Sequence, residues 1–95
     1  MAKQSELYEF ARGFGLLSDP TRLGILGMLV TGPKNVTALC KALGVKQPMA
    51  SHHLGLLRMG GLVIGTRKGK SMIYVCDAAA MKALAAGIAK LTPRK

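Results

Sequence analysis

The stretch from Asn35 to Gly61, NVTALCKALGVKQPMASHHLGLLRMGG, constrains the fold most, because two short helical patterns stand almost end to end in it. In the first pattern Asn35 can cap a helix and Gly44 can end it. Its apolar residues recur at helical spacing and share one face. They are Val36, Leu39, Cys40 and Leu43.

The second helical pattern begins at Gln47 and Pro48, and the glycines at 60 and 61 close it. Ala50, Leu54 and Leu57 form its inner face. The whole stretch therefore predicts helix, tight glycine-containing turn, helix, which is the helix-turn-helix arrangement.

The segment after this motif, LVIGTRKGKSMIYV, predicts a β-hairpin. Two β-rich runs, 62–64 and 72–75, flank a basic tip that contains Gly69. A helix-turn-helix followed by such a hairpin predicts a winged helix. The expected fold class is mainly α, with about five helices and a small β-hairpin wing.

Two further helices are predicted before the motif. The first spans Ser5 to Leu17 and the second starts after Asp19, a good N-cap, with Pro20 in its first position. Gly32 and Pro33 stop the second helix. Their apolar residues at helical spacing are Leu7, Phe10, Phe14 and Leu17 in the first, and Leu23, Leu26, Leu29 and Val30 in the second.

The last predicted helix, about 78–91, carries a narrow apolar seam bordered by alanines. A narrow seam with small neighbours suits packing of helix on helix, and we expect a second subunit there. The prediction is one domain, residues 1–95, in which the terminal helices (about 5–17 and 78–91) form a dimer interface. The expected interface residues are Leu7, Phe10, Met81, Leu84, Ile88 and Leu91.

Charge is distributed unevenly in this chain of net charge +10. The acids are Glu6, Glu9, Asp19 and Asp77, so no acid lies between Pro20 and Cys76. A one-signed middle segment favours a polyanionic partner, with nucleic acid first and a membrane surface second, although a basic surface without a particular partner stays open. The opening MAKQSELYEF has no apolar run, so we expect a cytoplasmic protein without a signal peptide or membrane span.

His52 and His53 stand side by side on the second helix of the motif. Adjacent residues lie about 100° apart on a helix, so these two are poorly placed to bind one metal. No nearby carboxylate can orient a catalytic histidine, so we expect neither an enzyme nor a metal or other cofactor. We expect His53 to be half-buried and hydrogen-bonded, whereas His52 faces a nucleic acid together with Gln47 and Ser51.

The hairpin tip TRKGK adds cations around Gly69, which permits a tight turn. Exposed cations on a protruding hairpin suit phosphate contacts, and the alternative is a merely solubilising turn. The predicted DNA-binding residues are Lys46, Gln47, Met49, Ser51, His52, Arg67, Lys68 and Lys70.

Three segments, LLSDPTRLGILGML, VTALCKALGVKQPMASHHLGLLRMGGLV and RKGKSMIYV, together resemble the ArsR/SmtB family of bacterial winged-helix transcriptional repressors. The resemblance covers roughly 16–77. It implies a homodimer that binds double-stranded operator DNA, is released by a metal or another inducer, and dimerises through its first and last helices.

The chain departs from the family at its metal sites. The resemblance puts Asn35 and Thr37 where the family's best-known site has a Cys-x-Cys pair, and the last helix has no histidine or acid. Cys40 and Cys76 remain, either as small core residues or as the thiols of a redox or metalloid sensor. The expected function is a dimeric, sequence-specific DNA-binding regulator without the usual metal ligands and with an unknown inducer. The alternative is a basic nucleic-acid-binding or architectural protein without sequence preference.

Overall fold

The computed structural model describes residues 3–93, and residues 1, 2, 94 and 95 of the predicted domain lie outside it. Five helices and the hairpin of the wing follow one another in the predicted order, so the winged helix-turn-helix fold is confirmed. The helices are α1 (Gln4–Leu16), α2 (Pro20–Leu29), α3 (Val36–Leu43), α4 (Gln47–Met59) and α5 (Ala78–Leu91). The strands are β1 (Lys34–Asn35), β2 (Val63–Lys68) and β3 (Ser71–Cys76).

Short polar side chains fix the starts of three helices. The carboxylate of Asp19 accepts a hydrogen bond from the backbone N–H of Arg22 at 3.0 Å, which caps α2. Asn35 caps α3 by accepting from the N–H of Ala38 at 2.8 Å. Asp77 caps α5 in the same way. Each cap pairs a helix N–H that would otherwise lack a partner, so these boundaries follow from local chemistry.

Between α3 and α4 the chain turns at Gly44, whose φ of 67° and ψ of 32° are left-handed. A left-handed residue after the last helical turn is where glycine is favoured. This turn sets α3 and α4 in the helix-turn-helix arrangement.

The sheet is antiparallel, with strand order β1-β3-β2. In the hairpin Val63 pairs with Cys76 and Lys68 with Ser71, so the strands run further toward the tip than predicted. Strand β1 was not predicted at all; its Lys34 and Asn35 pair with Tyr74 and Ile73. This strand fastens the wing to the chain just before α3.

The core is aliphatic. The largest fully buried side chains are Ile25, Leu39, Leu54 and Leu57, one or more from each of α2, α3 and α4. They pack with Leu26, Leu29, Leu62, Val63 and Leu84. Because α4 sends two of these leucines inward, its rotation about its own axis is fixed.

Helices α1 and α5 approach closely where glycines remove the side chains between them. A β-carbon at Gly87 would lie 2.8 Å from the ring of Phe10. Leu84 is only 7% exposed within the protomer, whereas Ile88 is 54% exposed. Leu84 is therefore already buried within the protomer, so it has little apolar surface left to bury at the predicted dimer interface. No helix within residues 3–93 has both the length and the apolar character needed to cross a membrane.

Candidate nucleic-acid interface

The start of α4 presents polar side chains to solvent because its opposite face is buried. Ala50, Leu54 and Leu57 have no exposed surface. Gln47, Ser51 and His52 lie on the other side and are exposed. Lys46 is exposed immediately before the helix, and Met49 is 49% exposed. All five predicted binding residues of this segment are therefore accessible.

The wing carries the other predicted residues. Gly69 has a φ of 60° at the tip, the left-handed conformation that a tight turn needs. Arg67, Lys68 and Lys70 are all exposed around it. Arg67 and Lys68 lie in the paired part of the hairpin, whereas Lys70 lies in the turn between Lys68 and Ser71.

An open groove of about 300 Å³ lies between α3, α4 and the wing. It brings Gln47 and Ser51 of α4 together with Lys70 of the wing, whereas His52, Arg67 and Lys68 lie outside its lining. The complete lining is Asn35, Val36, Thr37, Gln47, Ser51, Lys70, Ser71, Met72 and Tyr74.

The predicted DNA-binding residues did not include four polar groove residues, which are Asn35, Thr37, Ser71 and Tyr74. The position of Tyr74 depends on its pairing with Gly65 across the hairpin. A β-carbon at Gly65 would lie 2.9 Å from the Tyr74 ring, so the glycine makes room for it. A glycine inside a strand, such as Gly65, indicates that another group approaches the backbone closely. The sequence alone does not show that this group is the ring of Tyr74.

His53 has the half-buried, hydrogen-bonded position that was expected. Its side chain is 13% exposed, and its Nδ1 lies 3.1 Å from Nη1 of Arg22. Its Nε2 lies 3.8 Å from a carboxylate oxygen of Asp19. The two adjacent histidines therefore have different environments, one in solvent and one between helices.

The two cysteines are both partly buried. The Cys76 thiol lies 3.8 Å from the carbonyl oxygen of Leu26, and burial raises the pKa of this thiol above its ordinary value. A raised pKa lowers the thiolate fraction at neutral pH and with it the reactivity.

The positions that correspond to the family's Cys-x-Cys pair have other surroundings here. The Asn35 side chain is engaged in capping α3, and Thr37 is exposed. Among the residues that the structure describes, no group of three or more histidine, cysteine or acidic side chains is arranged to hold a metal ion.

The fold and the groove define a winged helix-turn-helix domain with a cationic wing. A sequence model described as "Bacterial regulatory protein, arsR family" matches residues 19–64. A transcriptional regulator of Methanocaldococcus jannaschii is 35% identical over 79 residues, which is 81% of this chain and 85% of that protein. The chain belongs to the arsR family.

Two characterised relatives match the motif region with higher identity. The HTH-type transcriptional regulator NmtR of Mycobacterium tuberculosis is 48% identical over 58 residues, 61% of this chain and 48% of that protein. The arsenical resistance operon repressor of Escherichia coli is 45% identical over 62 residues, 64% of this chain and 53% of that protein. The match thus spans about half the length of these relatives.

Solved structures share nearly the whole fold. An ArsR-like transcriptional regulator from Rhodococcus superposes with a TM-score of 0.85 at 27% identity, covering 95% of this chain and 83% of the other. A homodimeric winged helix-turn-helix DNA-binding domain from Mycobacterium bovis gives a TM-score of 0.74 at 34% identity, covering 95% of this chain and 91% of the other.

Proposed function

We propose that this protein is a homodimeric transcriptional repressor that binds operator DNA sequence-specifically. The observation that carries the proposal is the groove that joins the polar start of α4 to the wing. Gln47 and Ser51 can hydrogen-bond base edges, and Lys70 on the same groove can pair with a phosphate. One duplex lying across this face, with the start of α4 in its major groove, would meet both kinds of contact.

The charge distribution supports a nucleic-acid partner over other polyanions. The segment between Pro20 and Cys76 has no acid, and it includes α4 and the wing. Phosphate attraction supplies affinity for any sequence, while the hydrogen-bonding residues at the start of α4 supply discrimination. A membrane surface would use the cations but leave the polar groove without a role.

Dimerisation is proposed through the outer surfaces of α1 and α5. Leu7, Ile88 and Leu91 are between 44% and 65% exposed there, although they are apolar. A structural neighbour from Mycobacterium bovis is described as homodimeric. A two-fold dimer would read two half-sites about one helical turn apart, as dimeric helix-turn-helix proteins do. Such a repressor would act in the cytoplasm, where its operator is.

The release mechanism is proposed to differ from the family's familiar metal sites, because Asn35 and Thr37 are poor ligands for thiophilic metals. A thiol-based sensor that uses Cys40 and Cys76 is the second candidate. The raised pKa of Cys76 argues against it, because a reactive cysteine needs a stabilised thiolate.

The test of the proposal is a competition experiment. Duplexes selected by the protein from a random-sequence library compete with unselected random duplexes at one fixed salt concentration. A specific regulator should prefer the selected duplex by about 10³-fold or more. Equal affinity for both would instead identify a non-specific architectural protein and overturn the proposal.

A further inference from the structure

Arg22 connects three helices around the start of α2. Its Nε donates to the carbonyl oxygen of Leu16 at 2.7 Å, and its Nη2 lies 3.4 Å from that of Gly15. These carbonyls belong to the last turn of α1, whose carbonyl oxygens have no partner in the regular helix pattern. The carbonyl of Gly15 also accepts from the N–H and Oγ of Ser18. A cation at a helix C-terminus is also favoured by the helix dipole. Arg22 therefore ties α2 to the end of α1.

The remaining arm of the same guanidinium reaches α4. Nη1 lies 3.1 Å from Nδ1 of His53, which is 31 positions further along the chain. A guanidinium has only donors, so Nδ1 must accept this hydrogen bond. His53 is then neutral, with its proton on Nε2, which faces Asp19 at 3.8 Å.

We propose that Arg22 is a positioning residue for DNA binding, which holds α4 to the end of α1 through neutral His53. His53 follows directly after Ser51 and His52, which are proposed to face DNA. The Arg22–His53 contact, called the anchor below, therefore lies next to the residues whose position determines base contacts. The inference rests on the proposed DNA-binding function.

Protonation of His53 would remove the acceptor on which the anchor depends. Nδ1–H would then point at the guanidinium from 3.1 Å, with like charges facing each other. Asp19 would attract the imidazolium, and its carboxylate can do so while it caps α2. In the neutral tautomer Nε2–H already faces Asp19, so the proton that is added lies on the Arg22 side. The other titratable neighbour is His52, whose ring centre lies 5.3 Å away. Acidification should therefore loosen α4 and weaken specific binding through His53.

One test needs no DNA. Nuclear magnetic resonance of the imidazole nitrogens in the wild-type protein above neutral pH should show His53 as the Nε2–H tautomer. Replacement of Arg22 by Gln should change the Nδ1 resonance of His53, whereas Arg12→Gln, which removes the same charge from exposed α1 surface, should not. An Nδ1–H tautomer in the wild type overturns the proposal, whether or not the protein binds DNA.

The second test measures binding to a duplex selected from a random library. Arg22→Gln and Arg22→Lys should each weaken binding about tenfold or more, which equals the loss of one base contact. Neither side chain has the forked guanidinium that reaches both α1 and α4. Affinity for random DNA should fall far less. Arg58→Gln, at an exposed arginine in the last turn of α4, serves as the charge-matched control. Equal losses in Arg58→Gln and Arg22→Gln would mean that only the total charge matters and would refute the positioning role of Arg22.

The pH profile separates positioning from mere stabilisation. It is measured in a His52→Ala background, so that only one of the adjacent histidines titrates. Binding of the selected duplex should weaken as pH is lowered from 8 to about 5.5, because protonation of His53 removes the acceptor for Arg22. His53→Asn keeps an acceptor near the Nδ1 position and cannot be protonated, so it should retain binding and lose this acid dependence. An acid loss that persists in His53→Asn excludes His53 as its origin. Should the Arg22 variants fail to fold, the tautomer and the His53→Asn profile still decide.

Discussion

Leu84 of α5 packs directly over Gly13 of α1: a β-carbon on that glycine would lie 2.5 Å from Cδ2 of Leu84. This contact belongs to the protomer, because Leu84 forms part of its own core. The apolar surface left for a second copy is therefore further out, at Leu7 of α1 and at Ile88 and Leu91 of α5. Introducing charge at Leu84 would disrupt the fold and the dimer together and could not separate them.

We expect Ile88→Glu to produce a folded monomer. The side chain is 54% exposed in the protomer, so a carboxylate is tolerated there, but a dimer would bury it without a partner. Burying an unpaired charge costs several kcal/mol, and a cost of about 3 kcal/mol weakens dimerisation more than a hundredfold. Analytical ultracentrifugation measures the change. Val30→Glu, at an apolar residue 77% exposed at the end of α2, should leave dimerisation intact. Unchanged self-association of Ile88→Glu would contradict the proposed interface.

Base reading is expected to depend on Gln47 and Ser51. Each good base contact is worth about 1–3 kcal/mol of discrimination, so replacing either residue by alanine should relax preference at defined base pairs by about five- to 150-fold. Non-specific affinity should change little. Selection from a random library, repeated with each variant, measures this. A uniform loss at all sequences would show that these side chains contact phosphates instead.

Local chemistry accounts for the parts of the fold that the sequence predicts well. The start of α2 at Pro20, the whole of α3 and the start of α4 at Gln47 agree with prediction, because an N-cap, a proline or a left-handed glycine acts within a few residues. The exposure of His52 followed from the inward pointing of Leu54 and Leu57.

Long-range packing accounts for the parts that the sequence did not predict. Strand β1 is only Lys34–Asn35, too short to show a period, and it exists because β3 pairs with it. The burial of Leu84 depends on Gly13, far away in the chain. The groove residues Thr37 and Tyr74 come from two separate elements, so no local pattern could join them.

The wing cations are expected to contribute affinity without discrimination. Neutralising Arg67, Lys68 and Lys70 to Gln should weaken all sequences alike and lower the slope of log K against log salt by about 0.9 for each phosphate that is no longer neutralised. Fluorescence anisotropy over a salt series gives both quantities. Lys41→Gln with Arg58→Gln, two exposed cations on α3 and at the end of α4, is the control and should leave the slope nearly unchanged. A weakening confined to one sequence would mean that the wing reads bases.

The cap of α2 predicts a specific acid sensitivity of stability. The N–H of Arg22 donates to Asp19 and lowers the pKa of this carboxyl below its ordinary value of 3.8. A lowered pKa in the folded state means that the ionised cap stabilises the fold above that value and that this stabilisation disappears as pH falls through the folded pKa. Asp19→Asn keeps a capping oxygen but cannot titrate. Denaturant unfolding of both proteins should therefore show a difference that is constant near neutral pH and shrinks below about pH 4. A constant difference down to pH 2 would contradict the role of the ionised cap.

The last prediction is that the cysteines do not control DNA binding. Burial raises the pKa of the Cys76 thiol, so at neutral pH it should react with a disulfide reagent more slowly than a thiol in an unfolded peptide. A sensor thiol needs the opposite, a stabilised and accessible thiolate. Binding of a selected duplex should therefore be the same for the wild type and for Cys40→Ser/Cys76→Ser, with or without zinc, arsenite or a mild oxidant. Binding by the double variant without any reagent shows whether the substitutions themselves damage the structure. Serine preserves the size of the side chain but makes a partly buried site more polar. If the wild type but not the double variant releases DNA under any of these conditions, the protein is a thiol-based sensor, and Cys40 and Cys76 are the residues with which the inducer reacts.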